Sequence, residues 1–366
     1  MIKIHKKLQK VAILFSILLI ISNSATAADY DQLLIDIETK ISKKTEAYRT
    51  QALSRIKSFS AKGIEQKYTI TYIEGDLQKI VDYIKNEADV TVNVSFDKII
   101  DFNNNFNLAQ AISQSDHYKN IWEVGQSHSG ASNETMMRRL VEKEMGYTDK
   151  KYDYDNPGFV PADLPKYGAL NVGNLTQGGA GGYGRSYLVL KDEVKLRCSY
   201  LPGDSFGLTS GVFRHLTTVK YILPLIAEGH EPLIRLAAMI AGGKDKRAIL
   251  ELQKTLLISR RLAEKAAYEE IYAIDKLTRK KKKLITAYSR DFANNSADRT
   301  YLEAEIHGMV AWKDVKAVII NAEEVNFHDI FRIFVEARRK YNANFKVSIV
   351  DPKKMIEFKE KLYAAQ

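Results

Sequence analysis

Strand-like runs stand on both sides of one long helix-forming block, and that order points the chain to a mixed α+β fold. Val90 to Phe96 alternates, with Val90, Val92, Val94 and Phe96 facing one way and Thr91, Asn93 and Ser95 the other, which predicts a half-buried strand. YLVL at 187–190 reads as a short buried strand. From Leu216 to Ala293 the composition turns to dense Ala, Leu, Lys and Glu with few breakers, which predicts helix. Strand character returns at YLEAEIHGMV (301–310), VKAVIIN (315–321) and FKVSIV (345–350). Between the last two, NFHDIFRIFVEARRKY has the period of an amphipathic helix. The expected organisation is an N-terminal helical region, 28–88, then an α+β domain, 89–366, carrying a helical insertion at about 216–293. In the first region Leu34, Ile37, Ile41, Tyr48, Ala52 and Ile56 fall at helical spacing. Asp76 is placed to cap a further helix over LQKIVDYIKNEA. Residues 146–186, rich in Gly, Pro, Asp and Tyr, read as loops around short strands.

The first 27 residues have the order of a cleavable export signal. Lys3, Lys6, Lys7 and Lys10 precede an apolar run from Val11 to Ile21, and Ala25-Thr26-Ala27 supplies small residues for cleavage. That run is shorter than the roughly 20 residues a membrane-spanning helix needs. No later run is long and apolar enough to span, so the expected product is secreted or periplasmic and free of a membrane span. The formal net charge is +10, and losing the four leader lysines leaves a mildly basic chain, whose sign favours acidic or phosphate-bearing partners. The single cysteine, Cys198, excludes a fold stapled by internal disulfides.

Several familiar strings fail on context. Gly179-x-Gly181-x-x-Gly184 fits a dinucleotide fingerprint as letters, yet a polar loop precedes it and strand-like RSYLVL follows where a helix should open, so it reads as a flexible loop. Gly242-Gly243-Lys244 lacks the upstream glycine of a phosphate loop. The histidines show no metal-ligand spacing, and Ser127 in GQSHSG is not in a nucleophile elbow. Arg279 to Lys283 is a basic run that reads as a solvated helix face, with nucleic acid or an anionic surface as the alternative partner.

One strand carries chemistry. In YLEAEIHG, alternation places Glu303, Glu305 and His307 on one face and Leu302, Ala304 and Ile306 on the other. Two neighbouring carboxylates repel, so they need water or a cation, and a solvent-exposed edge face is the plain alternative.

Four segments in matching order resemble an uncharacterised bacterial family of unknown function with an ADP-ribosyltransferase-like character. VTVNVSFDK (90–98) resembles its opening strand. HYKNIWEVGQSHSG (117–130) resembles its aromatic–acidic segment. PKYGALNV with YGRSYLVLKDEVKLRCSYLPGDSF (165–206) resembles its longest motif, which ends in G-D-S. YLEAEIHGMVAWKDVKAVII (301–320) resembles its E-A-Q-x-H-G-x-V segment. The chain departs from the pattern at Ser95 for His, Val124 for Thr, Leu164 for Arg and Glu305 for Gln.

The resemblance implies an α+β, ADP-ribosyltransferase-like split sheet and an enzyme that breaks the nicotinamide–ribose bond of NAD, its substrate. Bond breaking leaves positive charge on the ribose, as in glycoside cleavage, and a nearby carboxylate stabilises it. On that reading Glu303 faces the cation, Glu305 orients the acceptor, and Ser127 fixes Glu303 or the ribose. Tyr167 or Tyr183 stacks on nicotinamide. Arg185, Ser186 and Arg197 belong to the cofactor-binding set, with the arginines on the pyrophosphate, and His307 supports the strand or contacts a phosphate. The expected function is mono-ADP-ribosyl transfer to an unknown protein acceptor by an exported toxin or effector. The alternatives are NAD glycohydrolysis and a non-enzymatic secreted partner-binding protein.

Overall fold

The computed structural model describes residues 32–61, 75–101, 106–119, 123, 141–143, 145, 147, 164–172, 178–180, 183–184, 186–203, 205, 216–227 and 302–351. The expected leader and most of the expected helical insertion, from 228 to 293, lie outside the described residues, and the basic run 279–283 with them. At the start of that block the structure has a two-residue strand, then a short helix Leu223–Ala227. No helix among the described residues is long and apolar enough to cross a membrane.

Twelve strands are described: β1 Val90–Val94, β2 Ile99–Asp101, β3 Phe106–Asn107, β4 His117–Tyr118, β5 Lys166–Leu170, β6 Ser186–Leu190, β7 Cys198–Pro202, β8 Thr217–Thr218, β9 Leu302–Ile306, β10 Val310–Ala311, β11 Val315–Asn321 and β12 Lys346–Val350. Eight of them form one mixed sheet in the order β12-β11-β6-β1-β5-β9-β7-β8. Every pairing in it is antiparallel except β11 with β12. That parallel pair is bridged by the helix Phe327–Lys340, because two parallel neighbours need a crossover longer than a hairpin. The α+β class expected from the sequence is what the chain adopts. Among the described residues the sheet is continuous, and no break between two halves is seen.

The apolar alternation of the strands builds the main core on one face. Val90, Val92, Val94, Leu188, Leu190, Leu302, Ala304, Ile306, Val318 and Ile320 are all buried there. The helix Phe327–Lys340 delivers Phe334 onto Phe96, with ring centroids 4.7 Å apart, and Trp312 packs on Phe345 at 5.4 Å. Trp312 is nearly enclosed, and its indole N–H finds the Ser115 carbonyl at 2.7 Å, as a buried indole requires. The N-terminal region folds as expected into helices 32–42 and Thr45–Ala61, burying Leu34, Ile37, Ile41 and Ala52. Asp76 lies inside the first turn of the helix Gly75–Glu87 rather than ahead of it.

Two strand expectations need correction. Val90 to Val94 is buried on both faces, not one, because Thr91 and Asn93 are covered by the glycine-rich segment. Thr91 Oγ1 accepts the Gly179 N–H at 2.9 Å; Asn93 Oδ1 accepts the Ala180 N–H at 3.1 Å, and its Nδ2 donates to the Gly184 carbonyl at 2.9 Å. The run 301–310 is not one strand. It breaks after Ile306, where Gly308 takes φ +74°, and resumes as β10 in a separate ladder with β4.

A reciprocal clasp ties the end of β1 to the turn after β11. Glu324 Oε2 accepts the Asp97 N–H at 3.1 Å, and Asp97 Oδ2 accepts the Val325 N–H at 3.0 Å. Burial, with the Asp97 charge adding to it, pushes the Glu324 carboxyl up to about 7 from its usual 4.5. A raised carboxyl binds its proton more tightly in the folded chain than in the unfolded one. Its contribution to stability is therefore greatest in acid and is lost as pH rises from 4.5 to about 7. Glu324→Gln cannot ionise, so the stability of the variant relative to wild type should climb through that window and then level. Thermal unfolding of both chains across the window checks this; a constant difference would contradict it.

Candidate functional site

Strand β9 lies inside the sheet, between β5 and β7, so its polar residues are not an exposed edge. Register places Tyr167 and Ser199 on either side of Glu305, and Ala169 and Leu201 on either side of Glu303. Residues opposite each other in a ladder share a face, so Tyr167, Ser199, Glu303 and Glu305 look the same way, and His307 follows by alternation. This is the face away from the main core. It is roofed by a smaller apolar cluster of Val141, Met145, Tyr147, Leu164 and Leu201. Glu303 is 2% exposed, while Glu305 and His307 are fully buried.

Buried carboxylates are costly unless hydrogen bonds replace their water. Glu303 is held by Ser205, whose backbone N–H donates to Oε2 at 2.8 Å and whose hydroxyl donates to Oε1. Glu305 Oε2 accepts the Tyr147 hydroxyl at 2.5 Å and the Ser199 hydroxyl at 2.9 Å. Ser199 Oγ also stands 2.9 Å from His307 Nε2. Burial first, and then the Glu305 charge, push the Tyr147 phenol well above its usual 10, so it keeps its proton and donates. A third buried acid, Glu142, accepts the Tyr167 hydroxyl at 2.5 Å. Cys198, by contrast, is inert: burial pushes its thiol up to about 12.

A further polar group packs at the N-terminal end of β5. The His117 ring stands 2.6 Å from Asp116 through Nδ1 and 2.6 Å from Glu123 through Nε2. The other Glu123 oxygen is 3.9 Å from Nζ of Lys166, which is fully buried. Lys166 pairs with Ile306, so by register it belongs to the other face of the sheet.

The residues singled out from sequence divide into four groups. Glu303, Glu305, His307 and Tyr167 come together on one face. Arg197 lies at their border: one guanidinium nitrogen donates to the His307 carbonyl and the other reaches Asp314 at 2.8 Å. It is thus a strut for the turn after β9, half-buried and already paired. Ser186 and Tyr183 are elsewhere. Ser186 sits three strands from β9 and accepts the Asn321 N–H at 2.9 Å; Tyr183 is 56% exposed beside Gly184. Ser127 and Arg185 lie outside the described residues. Among the described residues Ser205 holds Glu303.

Ser205, Ser199, Tyr147 and Glu142 are the functional candidates that sequence reasoning missed. For Ser205 a signal existed, since it ends the G-D-S segment at 203–205. For Ser199 it lay in the alternation of CSYLP, once β7 is known to flank β9. Tyr147 is 158 residues from Glu305 and carried no local signal.

No curated protein matches the chain. Glu303, Glu305 and His307 lie beyond the segment that matches a family model, whereas Tyr147, Tyr167, Ser199 and Ser205 lie within it. That segment, residues 90–231, matches the model of a family described as a protein of unknown function (DUF3626).

Proposed function

We propose that the chain is an exported enzyme that cleaves the nicotinamide–ribose bond of NAD and transfers ADP-ribose to a protein. The observation that carries this reading is the Glu303 carboxylate, gripped by the Ser205 N–H and hydroxyl, one pleat from a second fixed carboxylate, Glu305. A carboxylate whose position is set in advance stabilises a sugar cation without reorganising as charge develops. The second acid can draw the proton from the incoming nucleophile. Tyr167, with its hydroxyl on Glu142, supplies an aromatic face in the same row for the nicotinamide ring.

Hydrolysis is the second reading, and the burial of Glu305 favours it. A protein side chain reaches that carboxylate only by displacing the cover that includes Tyr147, whereas a water molecule needs a far smaller opening.

The test is incubation with NAD labelled in its adenylate half. Nicotinamide release is the expected result. Label retained on protein identifies transfer, and label recovered as free ADP-ribose identifies hydrolysis. No nicotinamide with any candidate acceptor present removes both readings.

A further inference from the structure

Ser199 Oγ stands between Glu305 and His307, 2.9 Å from Glu305 Oε2 and 2.9 Å from His307 Nε2. A hydroxyl in that position can accept from one neighbour while donating to the other, which is what proton transfer between two groups requires. We propose that Glu305, Ser199 and His307 form a proton relay, in which Glu305 is the general base of the site and His307 stores the proton it takes. This deepens the NAD-cleavage reading and rests on it for the identity of the reaction.

The acceptor, water or a hydroxyl, forms its oxygen–carbon bond to the ribose, and the broken carbon–nitrogen bond leaves its electron pair on nicotinamide, which departs neutral. The acceptor's proton goes to Glu305. Glu305 then gives a proton to Ser199 Oγ as Ser199 gives its own to His307 Nε2, with the imidazole in the tautomer protonated at Nδ1. The site ends as carboxylate, hydroxyl and imidazolium, and no oxidant or other reactant is needed. Glu305 is thereby an anion again before the next turnover.

The surroundings suit a shared proton. Tyr147 donates to the same Glu305 oxygen and keeps its own proton, so it cannot drain the relay. The Arg197 guanidinium is spent on the His307 main-chain carbonyl and on Asp314, neither of which carries the relayed proton. Glu142 is engaged with Tyr167, on the neighbouring strand. The buried Cys198 thiol is held on the Val194 carbonyl at 3.1 Å.

The decisive measurement is of the ring itself, so it does not depend on which reaction the site performs. In nitrogen-15 NMR of the full chain, the His307 ring is assigned by its loss in His307→Gln and followed across pH in wild type, Glu305→Gln and Ser199→Ala. Two groups sharing a proton titrate as a pair and shift each other by about one pH unit or more. Glu305→Gln should therefore lower the His307 midpoint by at least about that amount, since the carboxylate that stabilises the imidazolium is gone. Ser199→Ala should weaken the coupling, Ser199→Thr should restore it, and kcat with NAD should fall about 10²-fold in the alanine variant with KM little changed. If Ser199→Ala does not fold, the isosteric Glu305→Gln carries the test alone. A His307 profile identical in wild type and Glu305→Gln overturns the relay, even where nicotinamide is released. Coupling without nicotinamide release keeps the relay and removes the NAD reading.

Discussion

Glu303→Gln should lower nicotinamide release by about 10²–10³-fold while leaving the folded chain intact. The substitution preserves shape and still offers an oxygen to the Ser205 N–H, so the local structure has little reason to move. It removes the charge that would face the ribose cation, and that charge acts where neighbouring side chains exclude water. The Ser205 hydroxyl, which donated to the other carboxylate oxygen, must turn to accept from the new amide nitrogen, a change of about 1 kcal/mol in stability. Rate and stability therefore separate: a large loss of turnover with a nearly unchanged unfolding midpoint. Equal turnover in wild type and Glu303→Gln would move the chemistry away from β9. A collapse of the fold with loss of turnover would show instead that the Ser205 grip is structural. Glu305→Gln should be milder for bond breaking, because its role begins with the acceptor.

Much of the frame was legible in the residues, and what was legible was local. β11 coincides with VKAVIIN, β12 falls within FKVSIV, and the helix Phe327–Lys340 fills NFHDIFRIFVEARRKY, because each run carries its own period and its own ends. The side of β9 that holds Glu303, Glu305 and His307 follows from pleat alone. Burial of that side does not. It depends on β5 and β7 flanking the strand and on Val141, Met145 and Tyr147 covering it, and these come from segments remote in the chain. The same limit explains the serine. A carboxylate in water accepts any partner, so sequence could say only that Glu303 wants a donor; chain topology decides that Ser205 supplies it. It also explains Thr91 and Asn93, which read as a solvent face and became anchors for the glycine segment. Gly308 shows the converse error: an apolar–polar rhythm ran through it, yet its positive φ ends the strand and sends Val310 to another ladder.

The second large effect is expected at Gly184, where the glycine segment closes onto β1. Its φ is +153°, a conformation side chains rarely adopt, and an added Cβ would lie 2.0 Å from the Val94 carbonyl carbon, 2.3 Å from its oxygen and 2.4 Å from the Ser95 nitrogen. All three are backbone atoms at the end of β1, where Val94 is paired with Ser186 of β6, so none can swing aside as a flexible side chain would. Gly184→Ala should therefore cost strain of about 1–3 kcal/mol and overpacking of about 1–3 kcal/mol, or about 2–6 kcal/mol together. That is a large share of the roughly 5–15 kcal/mol that holds a domain folded. The chain can relieve the clash only by lifting the segment off β1, which breaks the Asn93 Nδ2 bond to the Gly184 carbonyl. Thr91 and Asn93 would then lose cover on the face they share, through Ala169, with Glu303. Tyr183→Ala is the neighbouring control, since that side chain is 56% exposed and its removal should change stability by no more than about 0.5 kcal/mol. Urea unfolding of the two variants beside wild type measures both. If Gly184→Ala unfolds at the same denaturant concentration as Tyr183→Ala, the segment does not lie on β1 in solution, and the burial of Thr91 and Asn93 has another origin.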